Sequence, residues 1–414
     1  MKTSRGFIIC MLLTVVYING NSQNADPQFG IKFSGYVKTD MFYDTRQSSA
    51  STGVREGHFY LYPDNVLQDL DGHDINANPS FHILNIQTRL RGNITGPDAF
   101  GAKTSGAIEA EFFGTSESDL NGFRLRHAFV QLDWNKVSLM AGQNWHPLFP
   151  VESYPGTISF NTGAPFIPFS RNPQVRLTLK AGISALQFTA YSQRDFVSSG
   201  TDGSSNKYLR NSGMPGLNFL VKIPAGDIFS IWGGADYKKL RPELRTIANY
   251  ETDATIGSMV FFSNIRLKTK PVTISMMGIY AQNGTDLVMI GGYAVSQITD
   301  LLRQEKKYTT LNSANFWIDL STNGDKVTVG LFSGYCSNMG SKDEITGSVY
   351  GRGSNIDHIF RVSPRITFTS GKVSFASEIE TTSAAYGTIT NYGKVENASG
   401  VTNVRLLLSA IYKF

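Results

Sequence analysis

The chain has 414 residues, of which 17% are charged and 41% hydrophobic, with 40 glycines, 27 phenylalanines, 18 tyrosines and two cysteines. That apolar and aromatic content excludes a disordered chain, and a net charge of +5 without a basic tract excludes a binder of nucleic-acid backbones. Charged residues fall below the roughly 25% usual in soluble domains, yet past the N-terminus no apolar run reaches the ~18 residues of a membrane helix.

The first segment reads as a targeting signal. Lys2 and Arg5 precede an apolar stretch from Phe7 to Ile18, and small polar residues follow at 19–23, so residues 1–23 are expected to be a cleaved secretory signal peptide. Cleavage is expected near Ser22 or Gln23. Cys10 leaves with it, so Cys336 has no partner for an intramolecular disulfide.

Beyond residue 30 the dominant period is two, which marks strands whose faces meet unlike surroundings. Strands are predicted over 31–43, 81–94, 102–113, 122–134, 136–143, 172–180, 183–193 and 215–223, then 227–237, 256–268, 272–282, 308–320, 326–334, 356–368, 372–382 and 400–414. In the second of these, Leu84, Ile86 and Leu90 alternate with Asn85, Gln87, Arg89 and Arg91; in the last, Val404, Leu406, Leu408, Ala410, Tyr412 and Phe414 form an apolar face.

The connections between these sixteen segments alternate. Tight turns rich in Gly, Pro and Asn, such as Trp134-Asn135-Lys136 and Pro224-Ala225-Gly226, are interleaved with long polar loops near 44–80, 144–171, 194–214, 238–255, 283–307, 335–355 and 383–399. Long loops at one end and tight turns at the other, with an even strand count, are the pattern of a transmembrane antiparallel β-barrel of about 16 strands, an all-β fold in which closure satisfies every backbone donor and acceptor. A soluble protein of two β-sandwich domains is the alternative. The barrel is expected to occupy residues 24–414.

Several short segments carry a family resemblance. Tyr412-Lys413-Phe414 ends the chain in the manner of a Gram-negative outer-membrane barrel, whose last strand is its signal to the barrel assembly machinery. The stretch from Gly35 to Asp44, and that from Gly122 to Trp134 followed by Leu139-Met140-Ala141-Gly142-Gln143, resemble the trimeric porin superfamily, in particular its DcaP-like branch. The resemblance implies a homotrimeric channel in the outer membrane, a third loop (144–171) folded inward, and small anions such as dicarboxylates as solutes.

If the apolar faces meet lipid, the opposite faces line the lumen. The basic residues so placed are Lys38, Arg89, Arg91, Arg176, Lys180, Lys222, Arg266, Lys268, Arg361, Arg365, Arg405 and Lys413; the acidic ones are Asp40, Glu109, Glu111, Asp133, Asp236, Asp319, Glu378 and Glu380. The excess of bases favours anions in a narrow pore, and arginine forks suit carboxylates. Arg89 with Arg91 and Arg361 with Arg365 are therefore expected to form a basic ladder, unless they pair with Glu109, Glu111, Glu378 and Glu380 and select nothing. Arg124 and Arg126 share the parity of Ala128, Val130 and Leu132 and are assigned to the outer face.

The loop at 144–171 contains Pro147, Pro150, Pro155, Pro165 and Pro168 among many aromatics, so it is expected to be stiff and packed. In a porin-like barrel it is the constriction, with Glu152 and Arg171 at the narrowest point and His146 nearby. The alternative is that it packs on a neighbouring subunit or caps the barrel.

No catalytic constellation emerges. Asp357-His358 and His73-Asp74 are adjacent acid–histidine pairs, but neighbours on a strand point to opposite faces, so neither is pre-arranged. No metal site or cofactor is expected. The oxygen-rich run within 64–74 has ligands for a structural calcium ion but lacks EF-hand spacing, and a solvated loop outweighs it. The sequence thus points to a passive porin, not an enzyme, in the outer membrane of a Gram-negative bacterium. The competing reading is a barrel with a plugged lumen, used for surface binding, adhesion or structure.

Overall fold

A computed structural model describes residues 29–50, 58–114, 119, 121–226 and 228–414; the expected signal peptide lies outside the described residues. The chain forms a closed antiparallel barrel of sixteen strands. In chain order these are β1 (Gly30–Asp44), β2 (Ser80–Leu84 and Arg89–Thr95), β3 (Lys103–Glu111), β4 (Arg124–Asp133), β5 (Val137–Trp145), β6 (Arg171–Ala181), β7 (Ser184–Tyr191) and β8 (Gly216–Ala225). Then follow β9 (Phe229–Leu240), β10 (Ile256–Lys268), β11 (Val272–Gln282), β12 (Glu305–Thr322), β13 (Val327–Gly340), β14 (Ile356–Ser370), β15 (Val373–Ile389) and β16 (Val395–Lys413).

Each strand pairs with its sequence neighbours, and the barrel closes between β1 and β16, where Tyr36 lies opposite Lys413 and Asp44 opposite Arg405. Gly35 and Phe414 exchange two backbone hydrogen bonds of 3.1 Å, which ties the chain's last residue into the seam. Closure leaves no open sheet edge, as hydrocarbon requires.

The outer face carries the predicted apolar half of the alternation: Val37, Met41, Ile108, Val130, Phe188, Phe219, Phe316, Phe360, Leu406 and Leu408 are all exposed. Their strand neighbours Lys38, Asp40, Glu109, Asn218, Arg361, Arg405 and Ser409 are buried.

Strand parity breaks at two places. β2 is interrupted at residues 85–88, where Asn85 Oδ1 accepts from Thr39 Oγ1 at 2.6 Å. The interruption flips the face: Phe81 and Ile83 are the exposed residues before it, whereas after it Leu90 is outside and Arg89 and Arg91 are inside. Leu84 and Ile86, expected on the lipid side, instead pack in the interior cluster. In β4 a register shift opposite Glu109 and Ala110 leaves Arg126 as an extra residue and turns Arg124 inward as well, because a bulge changes the alternation by one.

The interior is filled unevenly by three chain segments. Residues 58–63, 146–170 and 283–290 contribute Phe59, Leu61, Leu148, Phe149, Phe160, Phe166, Ile167, Phe169 and Leu287–Ile290 to one apolar cluster. From the wall the same cluster takes Leu220, Trp232, Val260, Phe262, Met277, Ile279, Trp317, Phe332 and Cys336, from β8 to β13, with Ile356, Ile359 and Ala384 from β14 and β15. The sequence permits this contact through a glycine on β13: a Cβ at Gly334 would stand 2.5 Å from the Phe166 ring, while Gly330 on the same strand leaves room for the Arg365 guanidinium, 2.4 Å from where its Cβ would be. Parity predicts a wet lumen all round; on this side much of the inner face is apolar too.

Beyond the barrel's long-loop end, residues 291–300 extend along β12 and pair with 349–352. Tyr208, Leu209, Leu240, Ile256, Tyr293, Val295 and Tyr308 form a second apolar cluster there.

Candidate permeation site

The inner wall opposite the apolar one holds a cluster of ionised side chains brought together by four strands and a loop. β2 supplies Arg89 and Arg91, β3 supplies Glu109 and Glu111, β4 supplies Arg124 and Arg126, β6 begins with Arg171, and Asp195 follows β7. The pairing of β2 with β3 sets Arg89 opposite Glu111 and Arg91 opposite Glu109.

Glu111 is the hub. It is fully buried and contacts Arg89 at 3.1 Å, Arg124 at 3.0 Å, Arg171 at 3.3 Å and Arg126 more closely still. Glu109 meets Arg126 at 2.8 Å, Arg91 at 3.1 Å and Arg89 at 3.4 Å. Asp195 joins Arg171 at 2.7 Å and Arg124 at 3.0 Å. Five guanidiniums therefore face three carboxylates. Aromatic faces carry part of the surplus: Trp145 lies under Arg126 and Arg171 at 5.5 and 5.2 Å, and Tyr36 lies under Arg89 at 5.2 Å.

Of the predicted residues, Arg89, Arg91, Glu109, Glu111 and Arg171 converge here. Arg124 and Arg126, assigned to the outer face, belong to the same cluster; the bulge that turned them inward has no sequence signature beyond the closely spaced arginines. Asp195 carries no periodic signal at all, since it sits in a connection.

The second predicted pair is held differently. Arg365 makes a bidentate pair with Asp319 at 2.7 and 2.9 Å, and Arg361 pairs with Glu380 at 2.9 Å. Arg361 also donates to the carbonyl oxygens of Ala164 and Leu61 at 2.7 and 2.5 Å. Arg361 is thus spent on binding the interior segments, and Arg365 on a pair with its wall neighbour Asp319. Glu378 accepts from the Ile158 amide, Asn161 donates to Glu380 Oε1 at 2.7 Å, and Gly156 N lies 3.3 Å from Asp319.

From the other side, Lys38 donates to Ile158 O at 2.7 Å and pairs with Asp40 at 3.2 Å. Residues 156–164 are therefore hydrogen-bonded to side chains of β1, β12, β14 and β15. Between this stretch and the cluster lies a cavity of about 360 Å³, lined by Tyr36, Lys38, Arg89, Arg126, Trp145, Phe160 and Lys413 among others.

The remaining predicted residues separate. His146 is buried, with Nδ1 accepting from Leu148 N at 3.2 Å and Nε2 3.7 Å from Asp236. Glu152 reaches Lys222 on β8, far from Arg171, so the two do not share a narrow point. Arg176 donates to Gln174 and to the Trp145 carbonyl.

Asp357 and His358, expected to point apart, form a 2.8 Å hydrogen bond because the β14–β15 register slips between Ile356 and His358. Both residues are partly exposed. In the first long loop, Asp69, Asp71 and His73 place one ligand atom each within 4.8 Å of one another. Asp69 Oδ1 there accepts from the backbone amides of Asp71 and His73, the local bonding of a turn.

No protein-family model and no curated protein matches the chain. Solved structures do. The outer membrane channel DcaP of Acinetobacter baumannii is 16% identical, with 93% of this chain and 97% of that chain covered and a TM-score of 0.67. Outer-membrane-expressed OmpT of Vibrio cholerae is 11% identical over 95% of this chain and 99% of its own, with a TM-score of 0.55, and an in-vitro folded trimer form of it scores the same. OmpF of Salmonella typhi, in complex with daunomycin, is 11% identical over 93% and 97%, with a TM-score of 0.52. At such identities the likeness is one of architecture, and with the closed barrel it establishes that this chain has the fold of the outer-membrane porins.

Proposed function

We propose that the protein is an outer-membrane porin of a Gram-negative bacterium through which small hydrophilic solutes, anions above all, diffuse passively. The observation that carries this reading is the surplus of guanidiniums over carboxylates in the Arg89–Arg171 cluster, facing a cavity beside residues 156–164. Oriented arginines raise the local concentration of anions and give carboxylates bidentate partners. Residues 146–170 act as the constriction, and nothing in this mechanism requires a reaction or a cofactor.

On the same reading the long loops face outward, the tight turns and both chain ends face the periplasm, and the chain assembles as a homotrimer in lipid after the assembly machinery reads the strand ending at Phe414. Planar-bilayer recording tests it: stepwise openings in threes and a reversal potential favouring chloride over potassium are expected, and a cation-selective wild type refutes the anion preference.

One observation favours a second reading. The apolar packing of residues 146–170 on β8–β13 narrows the interior, as it would in a plugged barrel used for surface binding or structure. Complete absence of conductance in bilayers decides for that alternative.

A further inference from the structure

A second cavity, of about 120 Å³, lies between residues 146–152 and the wall formed by β6 to β9. Arg176, Lys222, Gln187 and Trp232 line it from the wall, and Glu152 from the connection. Arg176 donates to Gln174 Oε1 at 2.7 Å and to Trp145 O at 2.9 Å and, among the described residues, has no carboxylate at ion-pair distance. Lys222 has one such partner, Glu152, whose side chain is 56% exposed; its ammonium also lies 5.9 Å from the Trp232 ring centre. The cavity thus sets two cations against one anion, and that anion is borne by the loop.

Its position gives this arrangement a use. Arg176 lies five residues beyond Arg171 along β6, about 16 Å nearer the tight-turn end at the usual rise of a strand. Conduction through a selective channel needs successive sites that bind weakly enough to release. Exchanging one carboxylate for another on Lys222 leaves the local charge unchanged, and a half-exposed ion pair is a weak tie to break.

We propose that this cavity is a second anion station, which takes a single carboxylate of a small organic acid between Arg176 and Lys222, and that Glu152 occupies it when no solute does. Its role in transit rests on the anion-channel reading above; binding at the cavity does not.

The test uses ¹³C-acetate as probe, titrated onto the full chain folded in detergent micelles and followed by line broadening. Glu152→Gln removes the internal competitor and is expected to bind acetate about fivefold more tightly than wild type, the scale of a half-exposed pair. Adding Arg176→Gln, or separately Lys222→Met, to that variant is expected to abolish the gain. The proposal is overturned if Glu152→Gln binds no more tightly than wild type, or if the gain survives both second substitutions. A cation-selective wild type in bilayers would instead refute the anion preference of the channel, while the acetate titration would still decide the cavity.

Discussion

The two sides of the barrel interior solve opposite problems with the same backbone. On β8–β13 the centre of the inner face is Trp317, Phe332, Phe262 and Met277, in one apolar cluster with Phe166, Ile167 and Leu287, so the loop is held there chiefly by burial, with Lys222 and Asp319 as its charged contacts. On β2–β6 the inner face is arginine and glutamate, and each charge depends on several partners. The apolar wall, together with the side chains of β1, β14 and β15 that bond residues 156–164, fixes the position of residues 146–170, and β2–β6 give the remaining space its field. Anchoring by apolar contact is insensitive to ions, which allows the opposite side to stay charged without having to hold the loop.

The contrast is sharpest where each wall has one residue at its centre. Phe166 is fully buried between Gly334, Phe332 and Arg361. Phe166→Ala is expected to destabilise the barrel by about 4 kcal/mol, read as a lower midpoint of chemical unfolding in micelles, with larger and noisier conductance. If the channel kept its wild-type open current, the apolar wall would not be what holds the loop.

Glu111→Gln withdraws the common anion of four arginines. Leaving buried guanidiniums short of charge is expected to cost about 3 kcal/mol of stability while increasing anion selectivity in a salt gradient. A variant that became less anion-selective would contradict the assignment of the field to this cluster.

Arg89→Ala with Arg91→Ala acts at the partly exposed side of the same cluster. Each pair there is worth about 1 kcal/mol or less, so a small stability change is expected together with a reversal potential shifted towards potassium. An unchanged potential would assign selectivity to the inner arginines, 124, 126 and 171.

The smallest effect is a dependence on pH. Burial opposes ionisation of Asp195, yet the Arg171 and Arg124 guanidiniums outweigh it and hold its carboxyl below the usual range. A depressed carboxylate contributes its stability above the unfolded value, and that contribution is lost as pH falls through the folded one. The tie between the connection after β7 and the arginine cluster should therefore be intact at neutral pH and loosen only below the ordinary carboxylate range. Proteolysis after residue 191, followed against pH, checks this, and Asp195→Asn should make the cleavage rate flat.

Much of the architecture was legible because the barrel's environment repeats along every strand. The sixteen predicted segments coincide with the sixteen strands, and Arg89, Arg91, Glu109 and Glu111 emerged as inward from parity alone. Parity failed where the backbone interrupts it: the break at 85–88 sent Leu84 and Ile86 inside, and the bulge in β4 brought in Arg124 and Arg126. A period-two pattern carries no mark of one inserted residue, so its consequences are invisible until the partner strand is in place. Period two is also silent where both faces are apolar, as in β10, where Val260 and Phe262 face inward while Met259 and Phe261 face outward.

What the sequence by itself determined is the barrel: lipid outside and a closed hydrogen-bonded wall leave a local imprint of alternating side chains and alternating turn lengths, repeated sixteen times. What only the tertiary structure decided is how the interior is divided. Whether Arg361 meets a solute or the carbonyl of Ala164, 197 residues away, depends on where a loop comes to rest. Contacts of that separation leave no period in the chain, because they are set by shape and charge across the lumen rather than by position along a strand.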